Sequence, residues 1–518
     1  MTRVQFAAAE IFPMAKTGGL ADVCASLPAA LATAGIDVRL IMPGYEQALD
    51  LVDKKMVRGV VRNAPGFEEV RIVDGVTPDT GLPITLIDVP ELFGGGGGLY
   101  QNADGTDRTD NHKRFALFSH AVARLGLGEA SSEWTPDIIH CHDWHTGLVP
   151  LLLRIYGRTY PKTVFTIHNM AFQGLFSFKE FDNLGLSPTD EVLGALEFFG
   201  KVNFLKAGLS FADWITTVSP TYAREIQTKE FGCGLEGLVR ARADRLSGIL
   251  NGIDAKYWTP WSNKRLACSY SANDPSGKLQ CKTALQRELG LAENVKAPLL
   301  IFASRLTSQK MADTLHEAMP QILARDPKRQ FALLGQGDPE IEAAFRMLSQ
   351  RYPGRMSIRI GYSEDSAQRL HAGGDLLMHA SRFEPCGLTQ LYAMRFGTLP
   401  VVRPVGGLAD TIVHASDKAI HEGTANGFCF EGATGQAMIE AVDHALGLYF
   451  RPPIWSGLRK TAMSIDFSWE KSAQKYMEVY DRLVPHAKFA RDDARALLPE
   501  ASQSKSYPEL GKRREERR

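Results

Sequence analysis

The chain has 518 residues, 44% of them hydrophobic and 23% charged, a globular balance with enough length for two large cores. Lys plus Arg and Asp plus Glu both number 59, which excludes the global basic field that holds nucleic acid or an anionic membrane and leaves neutral partners or small anions. No run approaches the roughly 20 apolar residues of a bilayer span, and seven scattered cysteines without a C-x-x-C pair read as free thiols of a reducing compartment.

From the N-terminus, Val4 to Ala9 predicts a strand and Leu20 to Thr33 an amphipathic helix. Glu10 and Lys16 interrupt the apolar start before a secretory core develops, so a cytoplasmic protein is expected. Strands are predicted at Val38 to Met42, Asp137 to His140, Thr163 to Ile167 and Ile215 to Val218. The glycines from Gly94 to Gly98 cannot hold regular structure cheaply and read as a flexible loop. A short strand then ends in Asn251-Gly252 and a polar stretch follows, which places a domain boundary there. Beyond it, Pro298 to Ala303 precedes a helical pattern at Ala312 to Arg325, and strands follow at Phe331 to Leu334, Met356 to Gly361, Leu376 to His379 and Leu399 to Val402. Strands alternating with helices in this way mean parallel sheets with crossover helices, in two α/β sets. The expected division is 1–247, 248–468, a helix over 469–485 packing back on the first domain, and a polar tail over 486–518.

Several segments carry chemistry. Lys16-Thr17-Gly18-Gly19 lies between the first strand and the first helix, where backbone N–H groups can receive phosphate. Arg305 and Lys310 follow a strand that ends at Ala303, and two fixed cations there suit a diphosphate. Glu384 precedes Pro385, which fixes the turn, and Gly387-Leu388-Thr389 opens a helix, so the carboxylate is expected to project from the turn. His140, His142, Asp143 and His145 invite a metal reading. The register differs from His-x-His-x-Asp-His, because Asp143 directly follows His142 and Trp144 intervenes before His145. A hydrogen-bonding cluster at a strand end, without metal, is therefore expected.

The segment Glu10-Ile11-Phe12-Pro13-Met14-Ala15-Lys16-Thr17-Gly18-Gly19-Leu20-Ala21-Asp22-Val23 resembles the N-terminal signature of bacterial glycogen and plant starch synthases. The resemblance continues through His140 to His145, Thr166-Ile167-His168-Asn169, Asn251-Gly252-Ile253-Asp254, Ser304 to Lys310, Ser381 to Gln390 and Gly406 to Thr411, spanning roughly Val4 to Val484. It implies a GT-B architecture, two Rossmann-like doubly wound α/β domains facing a central cleft. It also implies retaining transfer of glucose from ADP-glucose to the non-reducing end of glycogen or another α-1,4-glucan, with no cofactor. Other readings are another transferase of this fold, a glucan phosphorylase, a metal-dependent hydrolase and a catalytically silent glucan-binding protein. Neither nucleic acid nor membrane is an expected partner, and no feature specifies oligomeric state.

The resemblance makes Glu384, Arg305, Lys310 and His168 the catalytic group. It assigns substrate binding to Lys16, Gly18, Gly19, Asp22, Asp143, Asn251, Tyr362, Cys386, Gly387, Leu388 and Thr389, with Tyr362 stacking on adenine. The chain departs from the family in carrying Met311 where Gly is usual, with a side chain expected beside the phosphates, and Ala380 where Pro is usual. Tyr392 stands where many related transferases carry a ribose-binding Glu. ADP-glucose over UDP-glucose rests on the resemblance alone.

Overall fold

The computed structural model describes residues 1–95, 98–102, 105–130, 134–157 and 160–485. The expected polar tail, 486–518, and the middle of the glycine run lie outside them. The chain folds into two α/β units, each with its own buried hydrophobic cluster. In the first, a nine-stranded sheet runs Leu246–Gly248, Trp214–Thr217, Lys162–Ile167, Ile138–His142, Arg3–Ala7, Asp37–Pro43, Pro83–Asp88, Phe67–Val76 and Asp53–Ala64. All pairings are parallel up to Pro83–Asp88, and the last two strands are antiparallel. The second unit has a six-stranded, wholly parallel sheet ordered Met356–Ile360, Gln330–Gly335, Leu299–Ala303, Leu376–His379, Leu399–Val402 and Phe428–Cys429.

This order decides where ligands can go. Arg3–Ala7 lies between Asp37–Pro43 and Ile138–His142, and Leu299–Ala303 between Gln330–Gly335 and Leu376–His379. The crossovers leave each of these strands in opposite directions, which opens a crevice beyond its carboxyl end. The loops emerging at the two crevices carry Lys16 and Asp143 in the first unit, and Arg305, Lys310 and Glu384 in the second.

The buried strands are near-continuous apolar runs, as parallel strands covered on both faces must be. Val4 and Phe6 are fully buried, and so are Leu299, Leu300 and Ile301. The antiparallel meander over 53–88 and a small sheet built from Leu175–Ser177, Lys201–Asn203 and Glu197–Phe198 were not expected from the sequence. Strand Asp53–Ala64 is largely exposed and register-shifted, so it shows no clean alternation.

Two chain crossings join the units, side by side. Ile253 N donates to Phe467 O at 2.8 Å, and a Cβ on Gly252 would come within 2.7–2.9 Å of the Ser468 and Trp469 backbone. After the second crossing, helix Trp469–Leu483 returns to the first unit's cluster, burying Tyr476 and Tyr480. The interface also carries reciprocal caps. The Asp410 carboxylate of the second unit accepts from Thr221 N and Oγ1, both at 2.7 Å, at the start of helix Pro220–Glu225. Glu225, at that helix's other end, accepts from Gly406 N at 2.9 Å, and Ser219 Oγ donates to Pro385 O at 2.6 Å. Each cap satisfies a helix-terminal N–H that lacks an intrahelical partner.

Candidate active site

Glu384 is 5% exposed, at the carboxyl end of strand Leu376–His379. Its Oε2 pairs with Lys310 Nζ, accepts from Ser381 Oγ at 2.8 Å and lies 3.4 Å from His379 Nε2. Burial alone pushes a carboxyl up. The Lys310 charge, with His379 assisting, overrides it and holds Glu384 well below the usual carboxylate range. Lys310 reaches this position from a 3₁₀ turn, Ser308–Lys310, at the adjacent crevice. Arg305, on the same loop, is exposed, with Nη2 3.1 Å from Gln309 Oε1.

Across the cleft, Lys16 Nζ donates to Asp22 Oδ1 at 2.7 Å and to Glu364 Oε1 of the second unit at 3.0 Å. Its loop is braced from below. Glu10, 2% exposed, accepts from Thr17 N, Thr17 Oγ1 and Tyr100 OH at 2.5, 2.6 and 2.7 Å. A Cβ on Gly19 would lie 3.6 Å from Leu388 Cδ1, which brings this loop against the turn that carries Glu384. A Cβ on Gly18 would meet nothing within 4 Å, so packing does not demand that glycine. Gly387 is different: its φ is +74°, and a Cβ there would overlap the Gln390 side-chain amide. Thr389 begins helix Thr389–Arg395, whose start has no side-chain cap. Cys386 is buried beside Asn251, its thiol pushed up to about 12 by burial, too high for a nucleophile. Asn251 Oδ1 is buried without a hydrogen-bond partner. Tyr362, just past strand Met356–Ile360, is 58% exposed.

The histidine-rich strand end behaves as a hydrogen-bonded cluster. His140 Nδ1 lies 2.8 Å from Tyr480 OH and its Nε2 2.6 Å from Thr166 Oγ1, while His142 Nδ1 lies 2.9 Å from His168 Nε2. His145 stacks on Tyr100 with ring centroids 4.6 Å apart. Burial pushes His140 and His168 down to about 3, so His168 is neutral near pH 7. Asp143 spends Oδ1 on His168 N at 2.7 Å and holds φ 56°, ψ −177°, a region costly for a side-chain-bearing residue. Burial raises its carboxyl to about 7 against the pull of the His168 and Asn169 backbone. No group of three or more His, Cys, Asp or Glu among the described residues is arranged to hold a metal ion.

Met311 directly follows Lys310 on its loop, but its side chain turns away from the cleft, contrary to expectation. It is fully buried in the second core, at φ 49° and ψ 32°, the left-handed region where glycine is at ease. Tyr392 stacks on Trp258, with centroids 3.7 Å apart and planes 12° apart. Nothing in the structure explains Ala380. Sequence reasoning did not name Glu10, Tyr100, Tyr257, Glu364, His379 or Ser381 as site residues. Ser381 lay inside a motif already read, but Glu364 meets Lys16 across 348 positions, a contact no local spacing reveals.

Comparison with known proteins decides the family. A chain from Burkholderia thailandensis described as glycogen synthase is 50% identical over 511 residues, covering 98% of this chain and 96% of the relative. The chain belongs to the glycogen synthase family. A second glycogen synthase, from Thioalkalivibrio sulfidiphilus, is 46% identical across 93% of this chain and all of the relative. The family profile of the starch synthase catalytic domain matches residues 3–241, and that of glycosyl transferases group 1 matches 288–449. Among solved structures, the catalytic domain of starch synthase IV from Arabidopsis thaliana, bound to ADP and acarbose, has a TM-score of 0.82 at 34% identity. It covers 93% of this chain and 99% of that one. As a glycogen synthase relative with two Rossmann-like units facing a cleft, the chain is a glycosyltransferase of GT-B architecture. No helix among the described residues is long and apolar enough to cross a membrane.

Proposed function

We propose that the cleft binds ADP-glucose and passes its glucosyl group, with retention, to the non-reducing end of glycogen or another α-1,4-glucan, in the cytoplasm. The observation that carries this reading is the Lys310–Glu384 pair, its carboxylate buried, at one crevice and facing the Lys16 loop of the other. Arg305, Lys310 and Lys16 are the cations for the diphosphate, and the uncapped start of helix Thr389–Arg395 adds backbone donors. Gly18 and Gly19 leave room for close approach. Tyr362 offers its exposed ring to adenine, and the relative bound to ADP supports that nucleotide. The units meet at 1–247 and 248–468, with helix 469–485 tying the second crossing to the first unit.

Double displacement requires a carboxylate free to attack the anomeric carbon. Asp143 is hydrogen-bonded to the backbone and Glu10 is spent on Thr17 and Tyr100, so neither is free. Glu384, held ionised, is suited to accept from donor sugar hydroxyls. Front-face transfer follows: departing ADP assists deprotonation of the incoming 4-hydroxyl, while the fixed cations bind its growing charge more tightly than the ground state. Neutral His168 supplies a hydrogen bond to the transferred glucose without adding charge.

The test is incubation with glycogen and, separately, ADP-glucose or UDP-glucose. Nucleoside diphosphate release and glucan growth with ADP-glucose are expected. Release of glucose 1-phosphate from glycogen and phosphate, or transfer from UDP-glucose alone, would overturn the reading.

A further inference from the structure

Lys16 stands between two carboxylates from opposite sides of the cleft. Asp22 takes one of its N–H groups at 2.7 Å and Glu364 takes another at 3.0 Å, while the second Glu364 oxygen accepts from Tyr257 OH at 2.6 Å. Tyr257 follows the first crossing between the units, so one carboxylate links the crossing, the second unit and the first unit's glycine-rich loop.

Lys16, Asp22 and Glu364 together carry more negative than positive charge when all are ionised. A diphosphate arriving at Lys16 then finds the ammonium already engaged by two carboxylates, and must displace one of them to pair with it. Asp22 belongs to the same helix start as the loop and moves with it. Glu364 belongs to the opposing unit, and it retains a partner, Tyr257, when Lys16 leaves it. The Lys16 and Glu364 side chains are 26% and 21% exposed, a setting in which an ion pair is worth little and exchanges readily.

We infer that Glu364 is a donor-affinity determinant, whose carboxylate occupies Lys16 until the nucleotide diphosphate displaces it, and whose return promotes diphosphate release. The inference rests on the reading of Lys16 as a diphosphate ligand. Anions too weakly charged to displace Glu364 are thereby kept off Lys16, and product ADP is held less tightly than the cations alone would hold it.

The experiment is calorimetric titration with ADP of the full chain, its Glu364→Gln variant, a Lys16→Met variant and the double variant. Glu364→Gln keeps the shape and an acceptor oxygen but removes the competing charge. ADP is expected to bind it about tenfold more tightly than the unmodified chain, with a lower donor KM and a kcat that does not rise in proportion. In the Lys16→Met background the same change is expected to alter ADP affinity less than about twofold, because the competition acts through Lys16. Equal or weaker ADP binding by Glu364→Gln, or the same gain in both backgrounds, overturns the inference. Should Glu364→Gln melt below assay temperature, Glu364→Ala carries the same sign and the same test. Absence of ADP binding by the unmodified chain defeats the underlying functional reading, whereas normal binding that ignores Glu364 defeats this inference alone.

Discussion

Glu384 keeps its charge in a place nearly closed to water because Lys310 stands against it, with Ser381 and His379 on the same oxygen. Removing one member of such a pair strands the other, and an unpaired buried charge costs roughly 3–5 kcal/mol. Lys310→Ala is therefore expected to lower thermal stability by about that amount and turnover by ~10²-fold or more, the scale of losing one preorganised donor to a developing oxyanion. The double variant Lys310→Met with Glu384→Gln is expected to regain most of the stability and none of the turnover. Thermal melts with initial rates separate the two effects, and near-normal turnover in Lys310→Ala would remove the cation from the mechanism. Asp143 gives a prediction of opposite electrostatic sense. Its carboxyl is raised to about 7 from an ordinary 3.8, so between those values the folded chain holds a proton that the unfolded chain has released. Stability must then fall as pH rises across that window. Asp143→Asn carries no such titration, so the melting temperature of the parent chain relative to the variant is expected to decline from pH 4 to 7. A constant difference would refute the raised value. The motif residues were legible in the sequence, because Glu384, Lys310, Lys16 and Asp143 each lie in the connection that follows a parallel strand. Their partners Glu364 and Tyr257 were not, because those contacts depend on how two separately folded units meet.

The elements themselves were mostly legible. Parallel strands buried on both faces are apolar runs with β-branched residues, and strands such as Leu299–Ala303 and Lys162–Ile167 fall within a residue or two of where the pattern puts them. The meander over 53–88 escaped notice because its outer strand is exposed and interrupted, which erases the period-two signal. Met311 shows how an element can contradict a residue-level expectation. Helix Ala312–Ala324 is entered through a left-handed residue, and that backbone turns the Met311 side chain into the core, away from the cleft. Met311→Gly relieves about 1–3 kcal/mol of backbone strain, but it deletes a fully buried side chain worth about 2–5 kcal/mol to the core. At the middle of these ranges the lost packing exceeds the relieved strain, and a net loss of about 1–2 kcal/mol is expected in denaturant melts, with donor KM unchanged. A stabilised Met311→Gly chain would mean that strain outweighs packing here.

At the scale of the molecule, the contacts between units fall into two groups with different consequences for motion. Near the crossings, the Asp410 and Glu225 caps and the Ser219–Pro385 bond tie helices to backbone, and the crossing strands lie side by side. Contacts of that kind close to an axis change little as the units rotate. Farther out, the partly exposed Lys16–Glu364 pair and the contact of Gly19 with Leu388 span the cleft itself. Contacts this weak are expected to let the ligand-free chain exchange between closed and more open arrangements. On the proposed function, a nucleotide diphosphate held by Arg305 and Lys310 on one side and Lys16 on the other would engage both units and so favour the closed arrangement by its differential contacts. Closure also excludes water that would otherwise hydrolyse the donor. Small-angle scattering is expected to show a smaller radius of gyration with saturating ADP than without. Gly252→Ala should blunt that change, because its Cβ would press on the Ser468 and Trp469 backbone at the crossing. Superimposable scattering curves with and without ADP, from a chain that calorimetry shows to bind it, would mean that the crossings do not act as a hinge.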